Sequence, residues 1–317
     1  MSEQINEWER GVLEKLALSA IQEQRRSRRW GIFFKVLTFG YLFIVLFLFM
    51  GWINRGDSAL STGKHTALVD LEGVISSNSA ASADNLIASL QAAFKDKGTQ
   101  GVVLRINSPG GSPVQSGYVN DEIGRLRALH PTIPLYVVVE DICASGGYYI
   151  AAAADKIYVN KASIVGSIGV LMDGFGFTGT MSKLGVERRL MTAGENKGFM
   201  DPFSPRNQKH EAFTKAMLNE IHQQFISVVK QGRGKRLKDS PEIFSGLFWS
   251  GQKSIELGLA DELGTLGSVA RDVIKAENIV DFTTRDGFAD RLAKRFGAGV
   301  ASAFPGFSSQ TGGFVLR

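Results

Sequence analysis

The residues GVVLRINSPGGS at 101–112 are the strongest indication of the fold of this chain. The first half of this stretch contains VVLRI, a run that does not alternate between apolar and polar residues and is typical of a parallel strand covered on both faces. Its second half is a turn with two adjacent glycines. The stretch PLYVVVEDICASGGYY at residues 134–149 repeats this arrangement, with LYVVV as the strand and ASGG as the turn. The two strands predict a parallel sheet.

The sequence around these strands alternates between β-branched runs and helical patterns, which is typical of βαβ units and predicts an α/β fold. A short helix is predicted to begin at Ser145. The other predicted elements are strands at 66–73, 101–106, 134–140, 156–159 and 186–192, and helices at about 82–97, 114–129 and 206–231. Open α/β sheets place their sites at the carboxyl ends of the strands, where both glycine turns fall.

An apolar segment at residues 31–53, GIFFKVLTFGYLFIVLFLFMGWI, is predicted to be a transmembrane anchor. Its uncharged part spans about 27 Å as a helix, close to the ~30 Å of a bilayer core. Four arginines between residues 25 and 29 precede it, so the positive-inside rule places the N-terminus in the cytoplasm and the following domain outside a bacterial-type inner membrane. A cleaved signal peptide fits less well because about 30 residues precede the run. A buried core helix fits less well because the run is apolar on every face.

The chain is accordingly predicted to have five parts. The residues that follow the anchor are polar and contain Gly and Ser, which is typical of a linker. Near the C-terminus the periodic pattern of apolar residues weakens. The parts are a cytoplasmic segment at 1–30, the anchor at 31–53, the linker at 54–65, a folded domain at 66–280, and a C-terminal extension at 281–317 with a flexible end. Residues 1–24 show an amphipathic pattern of unknown role.

Composition narrows the classes of function. The chain has 317 residues and a formal net charge of +5, but outside the N-terminal cluster its basic residues are scattered among acids, which argues against nucleic-acid binding. Cys143 is the only cysteine, so an intrachain disulfide or a multi-cysteine zinc site is excluded. A thiol nucleophile at Cys143 is the weaker interpretation, because free cysteines are mostly buried. No ligand cluster indicates a metal or an organic cofactor.

The two glycine turns could build a nucleophilic site. A serine at position 145 would start its helix among free amide donors, an environment that suits a nucleophile and an oxyanion. Paired glycines let the backbone present N–H groups without a side chain, which makes Gly111 and Gly146 candidates for an oxyanion hole. The alternative is that Ser145 only caps a helix and Gly110 and Gly111 only form a turn. The G-x-S-x-G pattern of α/β-hydrolases is absent around Ser145.

The base that such a serine needs is less evident. None of the four histidines, at positions 65, 130, 210 and 222, adjoins a glycine turn or an obvious acid, and all are expected at the surface. A neutral lysine can replace histidine, but its pKa must fall by roughly 3 units from about 10.4, which requires burial. Lys197, in the loop TAGENKGFM, is compatible with this role without being singled out by physical argument.

The motifs resemble those of the signal peptide peptidase A family, the serine–lysine peptidases also called protease IV, in its short single-domain form. The resemblance covers roughly residues 66–276. The motifs that carry it are LRINSPGGS at 104–112, ASGGYYIA at 144–151, ADKIY at 154–158, IVGSIGV at 164–170, GRG at 232–234 and WSGQKSIELGLADELG at 249–264. The loop around Lys197 varies among relatives, so that lysine is aligned by spacing.

The resemblance implies a site as well as a fold. Ser145 would be the nucleophile, Lys197 the general base, Ser167 the residue that orients the lysine, and Gly111 an oxyanion donor. Gly146 is added as a second donor from its place at the helix start. The implied fold is the Clp protease/crotonase-like ββα-repeat core. The implied assembly is a homo-oligomeric ring, in which the serine and lysine of one site can come from neighbouring subunits.

The resemblance also implies a substrate class, namely cleaved signal peptides and other apolar peptides beside the membrane. Two other classes of protein stay open. A crotonase-type acyl-CoA enzyme shares glycine turns of this kind but would usually use carboxylates and be cytoplasmic, so the predicted anchor and the serine count against it. A non-catalytic membrane scaffold would use the same ring only to bind partners.

Overall fold

A computed structural model of the chain describes residues 24–47, apart from residue 27, and residues 63–284. The described residues fall into two units, one with residues 24–47 and one with residues 63–284. In the first unit, helix α1 (Gln24–Phe47) is long and apolar enough to cross a membrane, with a mean hydropathy of 2.0 over an 18-residue window. The assignment of a possible membrane span follows from the length and composition of the helix, and an N-terminal signal sequence can have the same length and composition. The remainder of the predicted anchor, 48–53, and the C-terminal extension beyond residue 284 lie outside the described residues.

The second unit is an α/β domain. Its strands are β1 (His65–Glu72), β2 (Thr99–Ser108), β3 (Leu135–Ala144), β4 (Lys156–Val159), β5 (Ile164–Gly166), β6 (Phe248–Ser250), β7 (Glu262–Leu263) and β8 (Ile279–Asp281). Its α-helices are α2 (Ala83–Lys95), α3 (Pro113–Leu129), α4 (Gly146–Ala151), α5 (Thr178–Lys183), α6 (Gln208–Arg233), α7 (Gly251–Glu256) and α8 (Leu266–Ser268). Turns of 3₁₀-helix lie at Gly234–Arg236 and Pro241–Phe244, and a π-helical turn lies at Val269–Ile274.

One sheet runs in the order β6-β5-β3-β2-β1-β8, with β4 paired to β3 and β7 paired to β4. All of these pairs are parallel except β5 with β6. The two strands predicted from their apolar runs, β2 and β3, are neighbours in the middle of the sheet, with Leu104 paired to Val137. The predicted α/β class with a largely parallel sheet is confirmed.

Both faces of the central strands are covered, as their apolar runs predicted. Leu104 and Val137 join the large core beneath helices α2 to α4, together with Leu90. Val103 and Val138, which point to the other face, pack in a second cluster with Tyr158 and Val269. Burial of each such aliphatic side chain contributes about 1.5–3 kcal/mol, so this strand pair is a rigid platform for the turns that follow it.

Two helices begin where capping chemistry allows. Ser82 accepts a hydrogen bond from the backbone N–H of Asn85 at the start of α2, and Ser112 accepts one from Gln115 at the start of α3. Pro113 occupies the first turn of α3, where its missing N–H costs nothing. The first glycine turn, at residues 107–112, therefore leads directly into a stable helix.

One predicted strand, 186–192, is wrong. These residues have no regular structure and are exposed. They belong to a longer segment, residues 169–213, which the structure describes throughout and in which it finds no buried residue. A β-branched run forms a strand only when a neighbouring strand pairs with it, and nothing in the described part of the chain pairs with this one.

Candidate active site

Ser145 is the single residue between the end of β3 and the start of α4. Its backbone has φ of +50° and ψ of −122°, a conformation that costs a non-glycine residue of order 1–3 kcal/mol. The backbone holds it from both sides, because its N–H donates to Gly166 O at 2.9 Å and its C=O accepts from Tyr149 N at 2.9 Å. Its side chain makes no capping hydrogen bond to α4, so the alternative that Ser145 is only a helix cap does not hold.

The first glycine turn lies directly against this junction. A Cβ atom on Gly110 would be 2.7 Å from the backbone N of Gly146 and 2.7 Å from the Cβ of Ser145. Gly110 also has φ of +102°, and a Cβ on Gly111 would lie 2.1 Å from Ile75 O. Only residues without a side chain allow the two loops to approach this closely.

The two predicted oxyanion donors are brought together by this approach. The backbone N of Gly111 lies 3.2 Å from the position that a Cβ on Gly146 would occupy. Gly146 is the first residue of α4, and the first N–H groups of a helix have no partner within the helix. Two amide donors from different loops thus lie beside Ser145, an arrangement that can bind a developing oxyanion.

Ser167 lies next to Ser145 in the sheet. Strand β5 pairs with the end of β3 so that Gly166 lies opposite Ala144, and the two serines follow these paired residues. Ser167 also has a positive φ, +52°, and its N–H donates to Leu247 O at 2.8 Å. Both serines are half-buried.

Lys197 is in a different kind of environment. It lies in a surface turn, where its backbone N–H donates to Gly194 O at 3.1 Å, and its side chain is exposed. Backbone contacts at the strand ends and in the two glycine turns join the two serines and the two predicted oxyanion donors. The turn that contains Lys197 belongs to neither region. The burial that a neutral lysine requires is not met within a single copy of the chain.

None of the four histidines is as exposed as predicted, since His65 is buried and His130, His210 and His222 are half-buried. His65 is buried at the amino end of β1, stacked on Phe282 and 3.6 Å from Asp96, whereas the glycine turns lie at the carboxyl ends of the strands. His222 is half-buried, and its Nε2 lies 3.1 Å from Ile168 O, one residue beyond Ser167. The sequence predicted His222 on a polar helix face, and only the packing of α6 brings it near the site.

The thiol alternative is not supported by the environment of Cys143. Its side chain is fully buried, and burial raises the pKa of the thiol far above its ordinary value. A thiol with a raised pKa is not a nucleophile near neutral pH. Cys143 is therefore a small core residue, as its sequence context predicted.

Helix α4 is braced from behind by residues outside the predicted site. The Tyr148 hydroxyl donates to Leu259 O at 2.7 Å. Nearby, the fully buried Arg233 donates two hydrogen bonds of 2.9 Å to the carboxylate of Asp261. Burial by itself would raise the pKa of Asp261, but the Arg233 guanidinium outweighs it and holds that pKa below its usual value. Arg233 lies in the GRG motif, and Asp261 in the ADELG motif.

The described domain is thus an α/β protein in which a strained serine and the backbone amides of two glycines lie at one edge of a largely parallel sheet. Residues 127–280 match the family described as "Peptidase family S49". The match includes Ser145, Ser167 and Lys197, whereas the glycine turn at 107–112 precedes it.

Two curated relatives and one solved structure illustrate the similarity. A protein of Enterococcus faecium, provisionally named signal peptide peptidase SppA, is 30% identical over 63% of this chain and 57% of its own length. A Brucella melitensis protein named Na(+)/H(+) antiporter NhaA is 48% identical over 57% of this chain but only 25% of its own length. A solved membrane-bound stomatin-specific protease, a lysine-to-alanine mutant in complex with a substrate peptide, matches 75% of this chain and 99% of its own at 14% identity and a TM-score of 0.45.

The predicted resemblance to the signal peptide peptidase A family is confirmed by the match of residues 127–280 to peptidase family S49 and by the similarity to the Enterococcus faecium protein. The largely parallel sheet confirms the predicted α/β class, and the Clp protease/crotonase type of core stays what the resemblance implies. The chain spans a quarter and somewhat over half of the lengths of the two curated relatives described above.

Proposed function

We propose that this chain is a membrane-anchored serine endopeptidase with a Ser-Lys dyad, in which Ser145 is the nucleophile and Lys197 the general base. The observation that carries the proposal is the strained Ser145 at a strand-to-helix junction, held against the Gly110–Gly111 turn. Strain of this kind persists where the surrounding structure enforces it, and it is concentrated at active sites. Ser167 orients the lysine, and Gly111 and Gly146 form the oxyanion hole.

The proposed chemistry is acyl transfer in two steps. Ser145 Oγ attacks the peptide carbonyl carbon while its proton passes to the neutral Lys197 amine, and the carbonyl oxygen becomes an oxyanion beside the two amides. The C–N bond then breaks, and the protonated lysine gives its proton to the leaving amine. Water attacks the acyl-enzyme with the same lysine as base, which releases the second peptide and restores the serine hydroxyl.

The exposure of Lys197 supports an assembled form of the enzyme. A lysine stays neutral near pH 7 only if its surroundings supply roughly 4 kcal/mol of differential desolvation. Lys197 lies in the segment 169–213, which exposes apolar side chains to solvent. Met191 is 93% exposed and Leu171 is 80% exposed. Exposed apolar surface of this extent is typical of a protein interface. We infer a homo-oligomeric ring in which a second copy covers this segment and buries the lysine.

The proposed substrates are cleaved signal peptides and other apolar peptides. Support comes from the name of the Enterococcus faecium relative and from helix α1, which would tether the domain to a membrane. Four arginines lie in the first turns of this helix, and the positive-inside rule favours an N-terminus in the cytoplasm. The catalytic domain then works at the outer face of the cytoplasmic membrane, where such peptides accumulate after export.

The crotonase-type acyl-CoA enzyme and the non-catalytic scaffold remain the competing functions. An activated serine reacts with a fluorophosphonate probe, whereas an acyl-CoA enzyme that works with carboxylates does not. A scaffold keeps its partner binding when Ser145 is replaced by Ala, whereas a peptidase loses all turnover.

The test uses the full chain in detergent, a leucine-rich fluorogenic peptide and a fluorophosphonate probe. We expect Ser145→Ala to abolish turnover and labelling, and Lys197→Ala and Lys197→Arg to abolish turnover, while all variants remain folded and keep the oligomer mass of the wild type. His222→Gln is the comparison, since it removes a titratable group that contacts the residue after Ser167. Turnover lost in His222→Gln and kept in both Lys197 variants would show that the base is the histidine.

A further inference from the structure

We propose that Ser108, which has no assigned role in the site described above, is the positioning residue of the oxyanion hole. It is the last residue of β2, its side chain is fully buried, and it precedes the glycine turn. The inference rests on the proposed peptidase function and concerns how the Gly111 amide is held at the place where the oxyanion forms.

The hydroxyl of Ser108 joins two loops that are distant in sequence. Its O–H donates to Gly73 O at 2.6 Å, across 35 residues of chain, in the loop that follows β1. Its oxygen accepts a hydrogen bond from Gly110 N at 3.1 Å. The hydroxyl proton is committed to Gly73, so the direction of both hydrogen bonds is set.

This pair of bonds decides which amide of the turn faces the site. The Gly110 N–H points back to Ser108, while the Gly110 C=O accepts from Ile75 N at 2.9 Å. The next peptide group is held by the bond from Ser112 N to Ile75 O, also 2.9 Å. The Gly110 C=O and the Ser112 N–H, on either side of the Gly111 N–H, are thus both bonded to Ile75. The Gly111 N–H is the amide of this turn that can bind the oxyanion.

Ser108 also lies against the other half of the site. A Cβ on Gly147 would be 3.3 Å from Ser108 O and 3.4 Å from Ser108 Cβ, so the first turn of α4 packs on this residue. Ser108 therefore touches the glycine turn, the 73–75 loop and the helix that begins beside Ser145. Its loss would let the two oxyanion donors move relative to each other, and a misplacement of about 1 Å can cost a hundredfold in rate.

The inference predicts a defect confined to the transition state. In the full chain in detergent, we expect Ser108→Ala to lower kcat about 10- to 100-fold and to weaken binding of a peptide aldehyde by a similar factor. The aldehyde forms a tetrahedral adduct with Ser145 and requires the oxyanion donors. KM and the affinity for the same peptide with a reduced scissile bond, which has no carbonyl oxygen at that point, should be unchanged.

Two further variants separate positioning from general stability. Ser108→Cys keeps a weak hydrogen-bonding group of similar shape, should regain part of the kcat, and carries the comparison if Ser108→Ala does not fold. Ser254→Ala is the matched control, because Ser254 is equally buried and donates a 2.7 Å hydrogen bond to Gly251 O within α7. It should lower the unfolding temperature without changing kcat or aldehyde affinity.

The outcomes distinguish this inference from the function on which it rests. An active wild type whose Ser108→Ala variant keeps its kcat, or loses affinity for the aldehyde and the reduced peptide alike, overturns the positioning role alone. A wild type that neither turns over peptide nor binds the aldehyde overturns the peptidase function and the positioning role with it.

Discussion

Ser145 and Ser167 occupy equivalent positions, each one residue beyond a paired strand end, and both have a positive φ, +50° and +52° respectively. The hydrogen bond from Ser145 N to Gly166 O, 2.9 Å long, links the two junctions. Two serines with strained backbones, side by side at the carboxyl edge of a parallel sheet, lower the stability of the fold. A function explains this cost if Ser145 reacts and Ser167 positions the base that activates it.

The first prediction concerns Ser167. We expect Ser167→Ala to lower kcat roughly tenfold or more, because the base loses the group that orients it, while Ser145 stays in place. Steady-state kinetics and the rate of fluorophosphonate labelling measure this effect. Ser163→Ala is the control, since Ser163 is buried just before β5 and bonds to the carbonyl of Glu140. Equal kcat values for the two variants would remove Ser167 from the mechanism.

The second prediction concerns the glycine turn. Gly110→Ala should abolish turnover and lower the free energy of unfolding by about 1–3 kcal/mol, because the new Cβ meets the backbone N of Gly146 and φ is +102°. Gly117→Ala is the control, since a Cβ there meets nothing within 4 Å and the position lies inside α3. That variant should be stabilised by up to about 1 kcal/mol with normal turnover. An active Gly110→Ala enzyme would show that the two loops need not approach so closely.

The third prediction concerns acid stability. The pKa of Asp261 is lower in the folded protein than in the unfolded chain, so the unfolded state binds the proton more tightly. The resulting stabilisation is complete above the ordinary carboxyl pKa of about 3.9 and is lost as the pH falls from there through the folded pKa. Urea unfolding at a series of pH values should show this loss in the wild type, and Asp261→Asn should flatten it.

At neutral pH, Asp261→Asn should also cost about 3–5 kcal/mol, because it leaves the buried Arg233 without its countercharge. Glu262→Gln is the matched control, since the adjacent Glu262 makes a solvent-exposed ion pair with Lys156, and its loss should cost less than about 1 kcal/mol. Similar losses for the two variants would mean that the Arg233–Asp261 pair does not brace the domain.

The fourth prediction concerns assembly. Met191→Glu should lower the oligomer mass and the turnover together, because it places a charge where a second copy is proposed to pack, while the unfolding of the single chain stays unchanged at this exposed position. Leu129→Glu is the control, since Leu129 is also exposed, at 60%, but lies at the end of α3. Native mass measurement and activity at matched concentrations check this. A full-size, fully active Met191→Glu protein would place the interface elsewhere.

Much of the framework follows from local patterns. The apolar runs of β2 and β3 could only be stable under cover on both faces, and Ser82 and Ser112 mark helix starts because their hydroxyls satisfy the first free amides. The order of elements and the glycine turns at strand ends were therefore predictable. So was the burial of Cys143, which lies at the end of an apolar strand.

Three features of the structure depend on contacts with distant segments, which a local sequence pattern does not show. The run at 186–192 resembles a strand but has no partner strand in the described part of the chain. His222 meets Ile168 only through the packing of α6, because the two residues are 54 positions apart in sequence. A local pattern also does not show that Lys197 is exposed in a single copy, since its burial depends on what covers the segment around it.

Hydrophobic periodicity, capping and glycine content act within short windows of sequence. They were therefore enough to predict the class of fold, the order of the elements and the residue types that can perform acyl transfer. The tertiary structure decided which of those residues meet. The pairing of β3 with β5 places Ser145 beside Ser167, and the hydroxyl of Ser108 ties the glycine turn to a loop 35 residues away. Such contacts form only when distant segments pack, because hydrogen bonds and close backbone approaches are set by position in space and not by distance along the chain.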